Sequence, residues 1–179
     1  PVVGSGIRRT RLDAVLLKKV YVVIALVAVG SAMLEGLVLT LTADKKYDWR
    51  GAMASLAIAA GRRLADFIPA FLALPGAAWL YEHRLLNWNM KDPLSWLVLF
   101  LALEFAYYWF HRASHRVRWF WANHAVHHSP NQFNLSAAYR LGWFSKITLS
   151  LVFFSPLALL GFAPQVILVA FAINLLYQF

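Results

Sequence analysis

The chain has 179 residues, 61% of them hydrophobic and only 14% charged, with a formal net charge of +9 and no cysteine. Soluble domains typically carry roughly 25% charged residues, so this composition excludes an ordinary water-soluble fold. The missing thiols exclude disulfides, zinc–thiolate sites and iron–sulfur clusters. The basic residues lie at the edges of apolar blocks, as in the positive collar of membrane segments, which argues against nucleic acid as a partner.

In chain order, residues 1–15 are basic, contain Gly4, Ser5 and Gly6, and are expected to be flexible. Residues 16–93 are expected to form N-terminal transmembrane helices. The first span covers about Leu16–Leu41, long enough for the ~20 apolar residues that a bilayer core requires. "TADKKYDWRG" (42–51) is a polar connector. A second apolar region, 52–81, is interrupted by Arg62, Arg63 and Asp66. Arg62 and Asp66 are four apart and can pair on a helix. The arginines read as interface residues, dividing an amphipathic segment from a span of about Leu64–Tyr81 that Pro69 and Pro75 would kink. "EHRLLNWNMKDP" (82–93) is a turn region. It ends on Asp92 as N-cap and Pro93 as first helical residue of a helix reaching about His115.

Residues 116–144 are polar and aromatic, with Trp119, Trp121 and Trp143, a composition of the membrane interface. Beyond them, Ser145–Leu160 and Pro164–Phe179 form an apolar hairpin around "GFAP". The fold class predicted is all-α, a polytopic integral membrane helical bundle with a histidine-rich interfacial segment. The chain begins without methionine and stops inside an apolar run, so further sequence is expected outside it.

Five of the six histidines fall between His111 and His128. His111 and His115 are four apart, so on a helix both imidazoles leave one face about 5–6 Å apart at Cβ. His124, His127 and His128 add H-x-x-H-H, two imidazoles one turn apart and a third beside them. Neutral imidazole suits iron, zinc, copper and nickel, and two metals can share five such ligands. His83 stands alone and reads as an interfacial anchor. No Asp or Glu follows Glu104. A carboxylate-bridged di-iron site therefore cannot be built from this half of the chain, and Arg112 stands where an H-E-x-x-H protease has its glutamate. Glu104 precedes His111 by seven residues, which aligns Glu104, Tyr108, His111 and His115 along one face. Glu104 is a candidate partner for the second N–H of a ligand histidine. The alternative is a structural pair with Arg112 or Arg140.

"HRASH" followed by "HAVHH" resembles the first two histidine boxes of the fatty acid hydroxylase/sterol desaturase superfamily. "YYWFHR", "HHSPNQFNLSAAYR", "SPLAL" and "NLLYQF" are most similar to its alkylglycerol monooxygenase branch, with the likeness running over about 104–179. The resemblance implies that 94–179 is a fatty acid hydroxylase-like domain, incomplete at its C-terminus because the family's later histidine boxes would follow Phe179. It also implies two Fe(II) ions held by His111, His115, His124, His127 and His128, with O₂ as oxidant and an external reductant that is a reduced pteridine or a cytochrome b5-like donor. It places the histidine site on the cytoplasmic side of a multi-pass protein. The substrate implied is a lipid in the bilayer, attacked at a C–H bond beside an ether oxygen, with Asn131, Asn134 and Arg140 as candidates to hold its hydroxyl groups. A sterol or fatty acid hydroxylase or desaturase is the rival within the superfamily. A non-catalytic subunit of a larger membrane assembly is the rival outside it.

Overall fold

The computed structural model describes residues 3–42, 46–65, 70–144, 148 and 150–178. Its elements are helical: α1 (Val3–Thr42), α2 (Trp49–Ala65), α3 (Ala70–Glu82), α4 (Pro93–Arg116), α5 (Arg118–His124), α6 (Ser155–Leu159) and α7 (Pro164–Tyr177), with 3₁₀ turns at Leu135–Ala137 and Ser150–Phe153. No strand occurs among the described residues.

Segment 3–15 is helical and continuous with the rest of α1. Arg, Leu and Ala are strong helix formers, and no proline follows Pro1 in that stretch. Where a second span is expected at 64–81, the described residues form the 13-residue α3, about 20 Å long and short of the ~30 Å hydrocarbon core. Asp66, the partner expected for Arg62, and Pro69 lie outside the described residues.

Two helices are long and apolar enough to cross a membrane, Lys19–Thr42 within α1 and Pro93–Arg116. At 24 residues, α4 is about 36 Å long, against a hydrocarbon core of about 30 Å. Neither helix is the buried core of a soluble fold, since only 11% and 22% of their most apolar stretches are buried. Leu26, Leu34, Leu101 and Phe105 stand with more than half their surface exposed. Apolar side chains turned outward along a span-length helix are what lipid solvates at no cost, and the chain is a membrane protein.

The α4 helix begins as its sequence dictates. The Asp92 carboxylate accepts a hydrogen bond from Leu94 N at 3.0 Å, and Pro93 occupies the first turn, where its missing N–H costs nothing. A small core forms where α4 meets α6 and α7, around Leu99, Leu103, Leu157, Phe162 and Ala170. The hairpin between α6 and α7 turns at Gly161, whose φ of +106° lies in the region open to glycine. A Cβ there would also collide with the Leu86 carbonyl. The 82–93 turn docks on this corner. Leu85 N donates to Leu159 O at 2.8 Å, and the Trp88 ring stacks on Phe162 with centroids 5.0 Å apart. Next to α7 packs α1, and the 3₁₀ turn at Leu135–Ala137 sits against α1 and α2. Towards the C-terminal end of α4, the Phe110 ring packs on Phe153 and Phe154 with centroids 6.0 and 5.8 Å away.

Candidate metal centre

His111 and His115 occupy the final turns of α4, and their Nε2 atoms are 3.0 Å apart. One extended residue, Val117, separates α4 from α5, so the chain turns back and His124 arrives beside them. The His124 ring centroid lies 4.8 Å from both His111 and His115. The turn after α5 returns His128, whose Nε2 is 3.2 Å from that of His124. One nitrogen from each of these four rings lies within 4.8 Å of every other. Two nitrogens at about 2.05 Å from a tetrahedral ion would be about 3.3 Å apart, close to both observed pairs.

The fifth histidine of the cluster, His127, stands at the edge, its centroid 5.6 Å from His124 and 5.2 Å from His128. Its Nδ1 and that of His111 are buried with no hydrogen-bond partner among the described residues. His83 is elsewhere, its Nδ1 2.8 Å from Trp79 O.

The electrostatics favour a cation. Burial, followed by the nearby rings of His111, His115, His128 and His127, lowers the His124 pKa to about 3. Burial, then His127 and His115, also lowers that of His128. At neutral pH these rings are unprotonated and offer lone pairs. The His111–His115 pair is also at a helix C-terminus, where the backbone dipole favours positive charge. No carboxylate joins the group among the described residues. Neutral nitrogen donors, a compact set and buried ring nitrogens without partners together fit an iron-type ion. His115 and His128 are exposed, so the site opens on one side. An open depression of about 240 Å³ lined by His115, Arg116, Val117, Arg118 and Trp121 lies there.

The remaining candidates are placed as follows. Glu104 is half-buried and accepts a hydrogen bond from Asn174 Nδ2, and Gln178 Nε2 donates to Asn174 Oδ1 at 2.7 Å. Its contact is thus with α7 and not with a histidine or an arginine. Tyr108 is exposed, and its hydroxyl accepts from Arg112. The ring facing His111 is that of Tyr107, at 5.8 Å. A four-residue step turns only about 40° around a helix and a three-residue step about 60° the other way, so the neighbour was available from spacing alone. Asn131 is exposed, and Asn134 accepts from Ser136 Oγ at 2.6 Å. Arg140, expected beside the substrate, is buried at 7% exposure with three protein acceptors. Trp121, not singled out for the site from sequence, lies 5.7 Å from His115 and stacks on His128 at 5.7 Å.

With this geometry in view, the likenesses to known proteins are informative. The fatty acid hydroxylase family model matches residues 96–179. The chain is 39% identical over 129 residues to alkylglycerol monooxygenase of Homo sapiens, covering 72% of this chain and 28% of that protein. It is 46% identical over 118 residues to that of Danio rerio, covering 65% and 26%. A cholesterol 25-hydroxylase-like protein of Caenorhabditis elegans is 34% identical over 90 residues, covering 48% and 29%. The chain thus spans between about a quarter and three tenths of these relatives. No solved structure matches it significantly. The segment that this family model matches, residues 96–179, contains the whole histidine cluster.

Proposed function

We propose that this chain is part of a membrane-bound, O₂-dependent, non-haem di-iron monooxygenase that hydroxylates a lipid C–H bond and cleaves alkylglycerol ethers. The observation that carries the reading is the all-nitrogen quartet within 4.8 Å. His111, His115, His124 and His128 would hold iron, with His127 beside them as a further ligand. Iron with O₂ supplies the oxidising power: one oxygen atom enters the C–H bond, and the other leaves as water with two electrons and two protons from an external donor. A reduced pteridine or a cytochrome b5-like protein fills that donor role.

The chain's own residues do the rest. Neutral His124 and His128 would bind the metal without having to lose a proton. Tyr107 covers one face of His111 and Trp121 covers His128, fixing both rings. Glu104 supports the site at one remove, by keeping α7 against α4 through Asn174. Asn131 and Asn134 follow the second box and hold the head-group hydroxyls, while the exposed apolar flank of α4 receives the alkyl chain from the bilayer. Hydroxylation beside the ether oxygen gives a hemiacetal, which collapses to an aldehyde and glycerol. The histidine site faces the cytoplasm in a multi-pass fold. Labelling of Phe133→Cys only from the outer face would reverse that orientation.

The test is an aerobic assay of the intact, iron-loaded protein with each reductant, following aldehyde release from an alkylglycerol. Turnover should accompany two irons per chain. The likeness to the cholesterol 25-hydroxylase-like protein favours a second reading, sterol hydroxylation, and sterol turnover without ether cleavage would select it. Protein that binds no metal and turns over no lipid would instead be a structural subunit of a membrane assembly.

A further inference from the structure

The two halves of the histidine quartet are supported differently. α5 has seven residues and no side-chain N-cap, far below the roughly 12–15 residues at which even an isolated helix becomes marginal. The turn bearing His127 and His128 therefore needs support from elsewhere.

That support converges on Arg140. Its Nε donates to Ser55 Oγ at 3.0 Å, and its Nη2 to Gly51 O at 2.8 Å, both on α2. Its Nη1 donates to Ser129 Oγ at 3.1 Å, and that hydroxyl donates in turn to Val126 O at 2.7 Å, inside the histidine turn. Ser55 is fully buried and itself donates to Gly51 O, so the α2 end of the clamp is fixed. No carboxylate pairs with Arg140 among the described residues. Its charge is spread over neutral acceptors from two elements, a task for which the planar, rigid guanidinium fork is suited and a single ammonium is not.

We propose that Arg140 is a positioning residue for the metal centre: by way of Ser129 and Val126 it ties the His124–His128 turn to α2 and holds it against His111 and His115. The inference rests on the di-iron reading. It assigns Arg140 to the protein scaffold and not to the lipid head group.

The experiment compares Arg140→Lys, Ser129→Ala and the double variant with wild type in the intact protein. It measures iron affinity by competition with a chelator, kcat and KM for the ether lipid, and the melting temperature. Iron affinity should fall about tenfold in Arg140→Lys, the lower end of the cost of losing a direct partner of a metal ligand, because Arg140 acts through Ser129 and Val126. It should fall less in Ser129→Ala, and the double variant should be no worse than Arg140→Lys, because both changes cut one chain of contacts. KM should not change. Should Arg140→Lys fail to fold, Ser129→Ala carries the test alone, since that side chain is exposed. Unchanged iron affinity with only a lower melting temperature overturns the proposal, and so does a tenfold rise in KM at unchanged iron affinity. If wild type binds no iron, the di-iron reading fails and takes the inference with it. Equal iron binding by wild type and variants would end the inference alone.

Discussion

The two histidine pairs of the cluster are built by opposite means. His111 and His115 ride on a capped, 24-residue helix whose regular geometry alone brings their Nε2 atoms to 3.0 Å. His124 and His128 reach nearly the same separation, 3.2 Å, at the end of a seven-residue helix and the turn beyond it. The first pair needs only a helix. The second needs the rest of the molecule: Arg140 from below, the Phe144 N–H on Asn123 Oδ1 at 2.9 Å, and Gln132 reaching Asp48 N at 3.0 Å. A metal site can thus combine an arm set by local geometry with an arm set by long-range contacts. Damage should pass to the metal mainly through the second.

The largest effect should come from Gly142→Ala. Its Cβ would meet the backbone and side-chain oxygens of Asn123, which cannot give way without moving α5. We expect destabilisation of about 1–3 kcal/mol, typical of overpacking, together with loss of metal while α4 stays helical. Calorimetry with iron analysis would check this, and full iron retention would show that the second arm is sturdier than its contacts imply.

Acid should act next, and on the same arm. In the unfolded chain a histidine takes its proton near pH 6.5, whereas His124 when folded waits until about 3, held down by burial and its neighbours. Between those values the unfolded state binds more protons, so metal-free stability falls as pH drops from about 6.5 toward 3 and is flat above that window. A melting-temperature profile should show this slope, and His124→Gln should flatten it.

The smallest effect belongs to the first arm. Asp92→Ala removes the cap of α4 and should cost about 1 kcal/mol, yet leave iron affinity unchanged, because His111 and His115 lie some twenty residues from the frayed end. A metal loss matching that of Gly142→Ala would erase the distinction between the arms.

What the sequence revealed follows the same division. The Asp92–Pro93 start of α4, the H-x-x-x-H pairing and the nitrogen-only character of the site could be read directly, since each depends on spacing or composition within a few residues. The engagement of Glu104 by Asn174, 70 positions away, and of Arg140 by Ser55 and Gly51, 85 and 89 positions away, could not. Polar side chains in a sparse membrane fold take whichever partner the packing delivers, and packing is a long-range property. Tyr108 shares the helix face of His115, seven residues on, whereas the ring beside His111 is that of Tyr107.

The indole of Trp121 lies nearly parallel to the His128 ring, at 27°, and the same distance from His115. An excited indole gives up its energy to a protonated imidazole or a paramagnetic ion at such range. The protein therefore carries its own optical gauge of the site. We expect the share of its emission that vanishes in Trp121→Phe to dim when the neighbouring rings take up a proton or a metal, so that the occupancy of the centre is followed by light without any added dye.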